Sequence, residues 1–223
     1  VQATAVSRLL SLPSTNKQDQ VVCLGLRQPL QQGKTSYDFV LVKWKSGERI
    51  KPGTLAWGVA DASAANARVA GQNASAGEVI RAGQAKVATG ASAPELFAFL
   101  LASLTGVDVE GPDPAVFRSA NGGAGFACKY KAGDVEVYPL AGGIFMMRKP
   151  LVYLPIRDIE GSCADVLPPS LIRVAAGIST SRGKALAREF DLEIECAGAS
   201  YPLSMISGEE WERLSTYVTY VRA

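Results

Sequence analysis

Short apolar segments separated by turn residues, followed by one amphipathic helix, fill the second half of the chain. The alternation is most regular over residues 190–196, where apolar side chains face one side of a predicted strand and acidic side chains the other. Further strands are predicted over residues 126–131, 135–140, 144–147, 151–156, 171–174 and 201–206. A helix is predicted after Ser207, because Ser207 and Glu210 have the spacing of a capping box. Its apolar stripe consists of Trp211, Leu214 and Val218. A bent antiparallel sheet has an open corner that such a terminal helix can close.

The first half shows the same order in shorter form. Strands are predicted over residues 6–12, 21–26 and 37–44, with a longer hairpin loop at 29–34. A helix over residues 95–104 is predicted by the capping-box spacing of Ser92 and Glu95 and by an apolar stripe. The stripe consists of Leu96, Phe97, Leu100, Leu101 and Leu104.

Two regions interrupt this pattern. Residues 53–92 are rich in Ala, Gly, Ser and Asn, which favours a partly helical, poorly packed insertion. A Gly-Pro-Asp-Pro run at 111–114 is typical of a linker. The predicted organisation is therefore a first domain over residues 1–110 and a second over 120–223.

The composition argues for a binding module and against an enzyme. The chain has no histidine, so the commonest general base, zinc ligand and nucleophile activator are absent. Its 23 basic and 21 acidic residues give a net charge of only +2, so bulk charge does not indicate nucleic acid binding. The four cysteines have no zinc-site spacing and are interpreted as reduced, buried thiols of an intracellular protein. No apolar stretch reaches the ~20 residues that cross a bilayer. We expect no cofactor, no metal and no membrane.

Four charged or glycine-rich motifs are candidate sites. Residues 177–184 resemble a P-loop, but five residues separate the glycines and Ala185 stands at the Ser or Thr position, so a basic hairpin loop is favoured. The acidic row Asp191, Glu193, Glu195 is interpreted as a solvated strand face. Two basic clusters are interpreted either as solvated surface or as a contact for an acidic surface or nucleic acid. One contains Lys129, Lys131, Arg148 and Lys149, and the other Lys43, Lys45, Arg49 and Lys51.

Several ordered motifs resemble the structure-specific recognition protein family, the small subunit of the FACT histone chaperone. Residues 126–150, FACKYKAGDVEVYPLAGGIFMMRKP, are similar to its second pleckstrin-homology (PH) domain, and Tyr153–Ile159 stands in place of the strand that follows there. Residues 188–193 and 203–210 continue the resemblance. In the first half, residues 29–39, PLQQGKTSYDF, are close to a family motif.

The resemblance implies tandem PH-like domains, each a bent antiparallel sheet or partly open barrel capped by a C-terminal helix. It also implies that the N-terminal strands of the first domain are missing here. It further implies a nuclear histone chaperone on chromatin, with core histones, nucleosomes, the large FACT subunit and DNA as partners. The candidate contact residues are Arg27, Gln31, Gln32, Lys34, Thr35, Lys129, Lys131, Arg148, Lys149, Arg182 and Lys184. The alternatives are a phosphoinositide- or protein-binding PH domain and a double-PH histone chaperone independent of FACT.

Overall fold

A computed structural model describes most of the chain, which divides into two compact units over residues 1–111 and 112–223. The described residues are 5–14, 18–45, 47–48, 82–83, 85–87, 90–160, 172–173 and 189–222. Most of the predicted Ala-Gly-rich insertion and the whole of the loop at 177–184 lie outside them.

The first unit is a four-stranded sheet with a helix on one face. Its elements are β1 (Val6–Pro13), β2 (Asp19–Gln32), β3 (Thr35–Lys45), α1 (Ala93–Thr105) and β4 (Val109–Glu110). The strand order is β3-β2-β1-β4, with antiparallel pairing except between β1 and the short β4, which run parallel. β-Branched and apolar residues dominate β1 and the first half of β2, and both strands lie in the interior of the sheet.

Helix α1 begins and packs as its sequence predicts. The Ser92 backbone N–H donates to Glu95 Oε2 at 2.8 Å, and this bond holds the pKa of the Glu95 carboxyl below its usual value. Gly106 ends the helix at φ 69°, where its N–H donates to the Ala102 carbonyl. The helix contacts the sheet through Ala98, which is buried, and Phe97, whose ring centroid lies 5.0 Å from that of Trp44. Leu104 departs from the predicted stripe: it is 45% exposed, because it lies at the last turn, beyond the sheet.

The hairpin between β2 and β3 is tighter than predicted. Both strands continue to a two-residue turn at Gly33 and Lys34, with Gln32 paired to Thr35. Gly33 has φ 62°, a conformation that glycine adopts without strain. The expected longer loop was wrong, because Leu30, Gln31 and Gln32 extend the ladder where a turn was inferred from Pro29 and Gly33.

The second unit is a seven-stranded antiparallel sheet followed by a helix. Its elements are β5 (Phe126–Tyr130), β6 (Gly133–Pro139), β7 (Gly143–Arg148), β8 (Val152–Pro155), α2 (Ile156–Glu160), β9 (Ile172–Arg173), β10 (Glu189–Cys196), β11 (Ala199–Ser207) and α3 (Trp211–Arg222). A 3-10 turn, Gly208–Glu210, precedes α3. The strand order is β8-β7-β6-β5-β11-β10-β9, so the two edge strands of the described sheet are short.

Helix α3 packs on the concave core of this sheet, as the sequence analysis predicts. Alternate residues of β10, starting at Phe190, are buried, and the Trp211 ring meets Phe190 edge-on at 5.3 Å. Tyr217, which the predicted stripe omits, is 1% exposed and donates its hydroxyl to the Leu140 carbonyl at 2.9 Å. The fold is therefore mainly β, with a sheet curled into a half-barrel and a C-terminal helix, as expected for PH-like domains.

The start of α3 differs from the predicted capping box. Ser207 Oγ accepts from the Glu209 N–H at 3.4 Å. Glu210 is buried and its carboxylate instead accepts from the Ser119 hydroxyl and the Ala120 N–H. The predicted capping box does not form because residues that precede β5 lie beside the start of α3 and donate to Glu210. The local sequence pattern does not reveal these donors. Glu210 therefore joins two segments that lie 91 residues apart in the sequence.

Two further predictions in this unit are corrected. The alternation over 135–140 predicted an outward Glu136, yet residues 135–140 are all buried, because β6 lies between neighbouring strands and is covered on both faces. Residues 153–159 stand, by resemblance, in place of a family strand. The observed strand, β8, ends at Pro155, and α2 then buries Ile159 in the core.

Candidate interaction surfaces

All the candidate contact residues of the first unit lie on one exposed part of its hairpin, which we call the β2–β3 ribbon (residues 27–38). Every residue of the ribbon is exposed. The structure therefore brings the predicted contact residues together on one ribbon: Arg27, Gln31, Gln32, Lys34 and Thr35.

The ribbon begins where the β2–β3 ladder is interrupted. Gly25 pairs with Phe39 and Leu30 with Tyr37, so β2 uses three more residues than β3 to cover this interval. Pro29 lies in the interruption, where its missing backbone N–H costs no ladder hydrogen bond. Beyond this bulge the strands pair again, and Gln31 Nε2 donates to Ser36 Oγ at 3.0 Å.

Beside its two predicted cations, the ribbon carries an apolar pair that the sequence reasoning did not select. Between residues 27 and 37 the only charged side chains are Arg27 and Lys34. Leu30 is 45% and Tyr37 42% exposed, and the two residues are cross-strand partners on one face. In the sequence, the signal for this apolar pair was the presence of two large apolar side chains inside an otherwise polar run. Tyrosine and arginine are enriched among the residues that dominate protein interfaces, so Tyr37 and Arg27 are side chains suited to a partner contact.

In the second unit, two of the four predicted basic residues are neutralised by carboxylates of the strand between them. Lys129 Nζ lies 2.8 Å from Asp134 Oδ1, and this lysine lowers the pKa of the exposed Asp134 carboxyl. Arg148 donates from Nε and Nη2 to Glu136 Oε1, at 3.1 and 2.7 Å. The predicted cluster is therefore a set of ion pairs along β6 with two further lysines.

Those two lysines, Lys131 and Lys149, lie at the same end of the sheet. Lys131 is in the turn between β5 and β6, and Lys149 follows β7, whose last residue Arg148 pairs with Val135 near the start of β6. Both are exposed, and Lys131 Nζ lies 5.3 Å from the Tyr130 ring centroid. Lys131 and Arg148 have positive φ angles of 55° and 101°, which cost conformational energy in residues other than glycine.

Most of the remaining basic candidates lie outside the described residues. Arg182 and Lys184 lie outside the described residues, as do Arg49 and Lys51. Lys43 forms an ion pair with Asp19 at 2.8 Å, so it is neutralised like Lys129.

A buried network that the sequence analysis missed supports Arg148. Glu136 is 3% exposed and accepts from the Tyr138 hydroxyl at 2.7 Å as well as from Arg148. A buried carboxylate is stable only with such donors, so this network fixes the guanidinium at the end of β7. A Glu-x-Tyr pair in a strand that the sequence predicts to be half exposed gives no signal of this burial.

Within the described part of the chain, no group of three carboxylate or thiol side chains is arranged to hold a metal ion. No helix in that part is long and apolar enough to cross a membrane.

Comparisons with known proteins match both units. Residues 1–56 match the family model described as the SSRP1 PH domain, and residues 124–222 match the model described as histone chaperone Rttp106-like, middle domain.

Relatives named as FACT subunits match nearly the whole chain. "FACT complex subunit POB3" of Yarrowia lipolytica is 28% identical over 218 residues, which is 98% of this chain and 35% of that protein. "FACT complex subunit SSRP1" of Xenopus laevis is 27% identical and that of Homo sapiens 26%, each match covering 96% of this chain and 26% of the relative. The chain thus spans only about a quarter to a third of the length of these relatives. With an SSRP1-type PH match first, an Rttp106-like match second and FACT subunits aligned across both, the chain is similar to the structure-specific recognition protein family over nearly its whole length.

Proposed function

We propose that this chain is a histone chaperone module of the FACT complex. It binds core histones and nucleosomes in the nucleus, and so helps to reorganise chromatin during transcription, replication and repair. The large FACT subunit is its partner in the full-length protein, and DNA is a further candidate partner. The module performs no chemical step; a chain without histidine and with buried thiols fits a binding role.

The observation that carries the proposal is the alignment of FACT subunits across both units at once. A match to one PH-like domain alone supports a fold, because this fold hosts unrelated functions. A match that keeps two different domain types in order over 96–98% of the chain supports a shared role.

The β2–β3 ribbon is the proposed contact surface of the first unit. In the second unit, the proposed contact surface is the end of the sheet that carries Lys131, Arg148 and Lys149. Rigid sheets present both surfaces, which reduces the entropy lost when a partner binds.

The direct test is a native-gel titration of the chain with separate histone pairs, free DNA and intact nucleosomes over a range of salt concentrations. We expect at least one histone pair to bind at moderate salt. Binding to DNA alone with a steep salt dependence would indicate phosphate contacts instead. Charge reversal of Lys34 and Arg148 together tests the two contact surfaces: unchanged affinity for histones and DNA would remove both from the proposal.

A phosphoinositide-binding role is the main alternative from another class. It needs free cations near the first strands of the second unit, and Lys129 is already paired with Asp134 there. A liposome pull-down with and without phosphoinositides distinguishes this role from the histone chaperone role. Selective binding to the phosphoinositide vesicles would favour the phosphoinositide-binding role.

A FACT-independent double-PH chaperone is the nearer alternative, favoured by the Rttp106-like description of residues 124–222. Copurification of the full-length protein with a large FACT subunit would exclude it. Histone binding without such a subunit would support it.

A further inference from the structure

Strand β3 lies at the edge of the sheet in the first unit. The strand order is β3-β2-β1-β4, and none of the strands that the structure describes pairs with the outer side of β3. β3 is 11 residues long and contains no proline. An edge strand of this kind presents a row of backbone N–H and C=O groups to which a further extended chain can bind.

One face of β3 carries exposed apolar side chains beside this edge. Trp44 packs against Phe97 of α1, so the even-numbered residues of β3 face the helix and the odd-numbered ones face away from it. Three large apolar side chains follow one another at the odd-numbered positions, and we call them the outer stripe (Tyr37, Phe39 and Leu41). Tyr37 is 42% and Leu41 37% exposed. Exposed apolar side chains in a continuous row are typical of a protein contact.

Cations predominate around the outer stripe. Residues 19–45 contain two carboxylates and four cations: Asp19, Asp38, Arg27, Lys34, Lys43 and Lys45. Asp38 has an even-numbered position and so lies on the helix side of β3. Asp19 lies opposite Lys45 in the ladder and forms its ion pair with Lys43 at 2.8 Å. Neither Arg27 nor Lys34 forms an ion pair with a described carboxylate, so the unpaired positive charge is concentrated in the ribbon.

We propose that the outer edge of β3 binds an extended acidic segment of a partner protein by strand addition. The inference rests on the proposed function, because it takes the ribbon as a contact surface and specifies the chemistry of its partner. The backbone of the segment pairs with that of β3, and its apolar side chains pack beside the outer stripe. Its carboxylates meet Arg27 and Lys34.

Charge and composition argue against two other occupants. A second copy of this chain would bring the same cations to the edge, and like charges across a strand pair are destabilising. DNA offers phosphates to the cations, but it has no amide groups for the free backbone of β3. An acidic polypeptide supplies both the carboxylates and the backbone groups.

The test measures peptide binding by fluorescence anisotropy. The parent probe is a synthetic peptide of about ten residues, close to the length of β3, with two glutamates at each end and leucine at alternate central positions. Two further forms carry N-methyl groups on alternate residues, so that each form lacks the N–H donors along one of its two edges. A scrambled peptide of the same composition, with the glutamates in the centre, is the control.

Two variants of the chain remove the proposed side-chain contacts. Tyr37→Ser with Leu41→Ser removes the exposed apolar side chains of the outer stripe. Arg27→Gln with Lys34→Gln removes the cations.

Each contact variant has a matched control. Leu104→Ser removes an apolar side chain of α1 that is 45% exposed. Arg157→Gln with Arg213→Gln removes two exposed cations of the second unit.

We expect the wild type and both control variants to bind the parent peptide with equal affinity, and the scrambled peptide about tenfold more weakly or worse. Each contact variant should lose about tenfold or more in affinity, as for the side chains that dominate interfaces. One methylated form should lose binding and the other should keep it, because only one edge of an added strand pairs with β3. Equal binding by both methylated forms, or unchanged affinity in both contact variants, overturns the proposal.

The other occupants give different results. Self-association that the apolar variant abolishes would assign the edge to a second copy. DNA binding that is lost only in the cation variant, with peptide binding intact, would assign the cations to phosphate. The titration is repeated with the full-length protein, where loss of peptide binding would assign the edge to strands outside this chain. Each of these results overturns the proposal.

A parallel titration with histone pairs separates this inference from the proposed function. A wild type that binds a histone pair but not the peptide loses the edge site and leaves the proposed function standing. A wild type that binds neither contradicts both. Circular dichroism verifies folding, and should one contact variant unfold, the other decides together with the methylated peptides.

Discussion

At the scale of single residues, burial changes what a side chain contributes more than its place in the sequence does. Arg148 and Lys129 look equivalent in the sequence, as basic residues near neighbouring strand ends. In the structure, Lys129 meets an Asp134 side chain that is 73% exposed, whereas Arg148 meets a Glu136 side chain that is 4% exposed. Solvent screens the second pair less than the first, because one of its partners, Glu136, is buried.

This difference predicts unequal effects on stability. Arg148→Ala should lower the free energy of unfolding by about 1–3 kcal/mol, because the buried Glu136 carboxylate loses its charged donor. Lys129→Ala is the control and should change the free energy by less than about 1 kcal/mol, as for exposed ion pairs. Urea unfolding followed by circular dichroism measures both, and equal effects would contradict the assigned role of Glu136.

The buried thiols give a second prediction at this scale. Burial raises the pKa of Cys23 and of Cys128 from 9.0 to about 12. Above pH 9 the thiols of the unfolded chain lose their protons while those of the folded chain keep them. The free energy of unfolding is therefore unaffected by these thiols below pH 9 and falls as the pH rises towards 12. The expected loss is at most about 1.4 kcal/mol per pH unit for each thiol. Urea midpoints between pH 8 and 10.5 test this, and Cys23→Ala with Cys128→Ala should show a shallower decline than the wild type.

At the scale of elements, helix α3 joins the strands of the second unit into one core. Tyr217 and Tyr220 lie one turn apart on this helix, with ring centroids 6.5 Å apart. Tyr217 is 1% exposed and donates to the Leu140 carbonyl, whereas Tyr220 is 46% exposed. One helix therefore presents a structural tyrosine and a surface tyrosine.

Replacing these two tyrosines separates the two roles. Tyr217→Ala should lower the free energy of unfolding by about 3–5 kcal/mol, since it leaves a cavity and removes the donor to a buried carbonyl. Tyr220→Ala should cost roughly 1 kcal/mol or less, mostly from the lost ring contact. Thermal unfolding compares them; a similar loss from both would mean that α3 does not pack as described.

Elements with local signals were predicted well from the sequence, and those shaped by distant neighbours were not. The start of α1 at Ser92 and the alternation of β10 depend on side chains close in sequence, and both are confirmed. Glu210 was wrongly assigned to a capping box, because its donors come from residues 119 and 120. Of the candidate site, the ribbon residues were predicted as a group, whereas the buried Glu136–Arg148 network was not, since it joins residues of two neighbouring strands.

At the scale of the whole molecule, each unit has a core made of its own residues. The core of the second unit extends from Val116 to Tyr217 and includes Phe117, so residues before the predicted domain start at 120 pack into it. The core of the first unit joins β1 and β2 to α1. A core closed within one unit lets that unit fold by itself.

A fragment of residues 112–223 should therefore fold alone, with a single cooperative urea transition. A shorter fragment starting at residue 120 should be less stable by about 3–5 kcal/mol or more, because it lacks the buried Phe117 and the Ser119 donor to Glu210. Equal stability of the two fragments would show that residues 112–119 are a linker.

The central claim, that tandem PH-like units here form a histone-binding module, is tested most directly by competition. A labelled histone pair is mixed with DNA near physiological salt, where it forms insoluble complexes, and the chain is added in increasing amounts. The account predicts that the chain binds the histones and returns them to solution in proportion to its concentration. If the histones remain with the DNA while the chain binds only the DNA, or binds neither, the claim is contradicted.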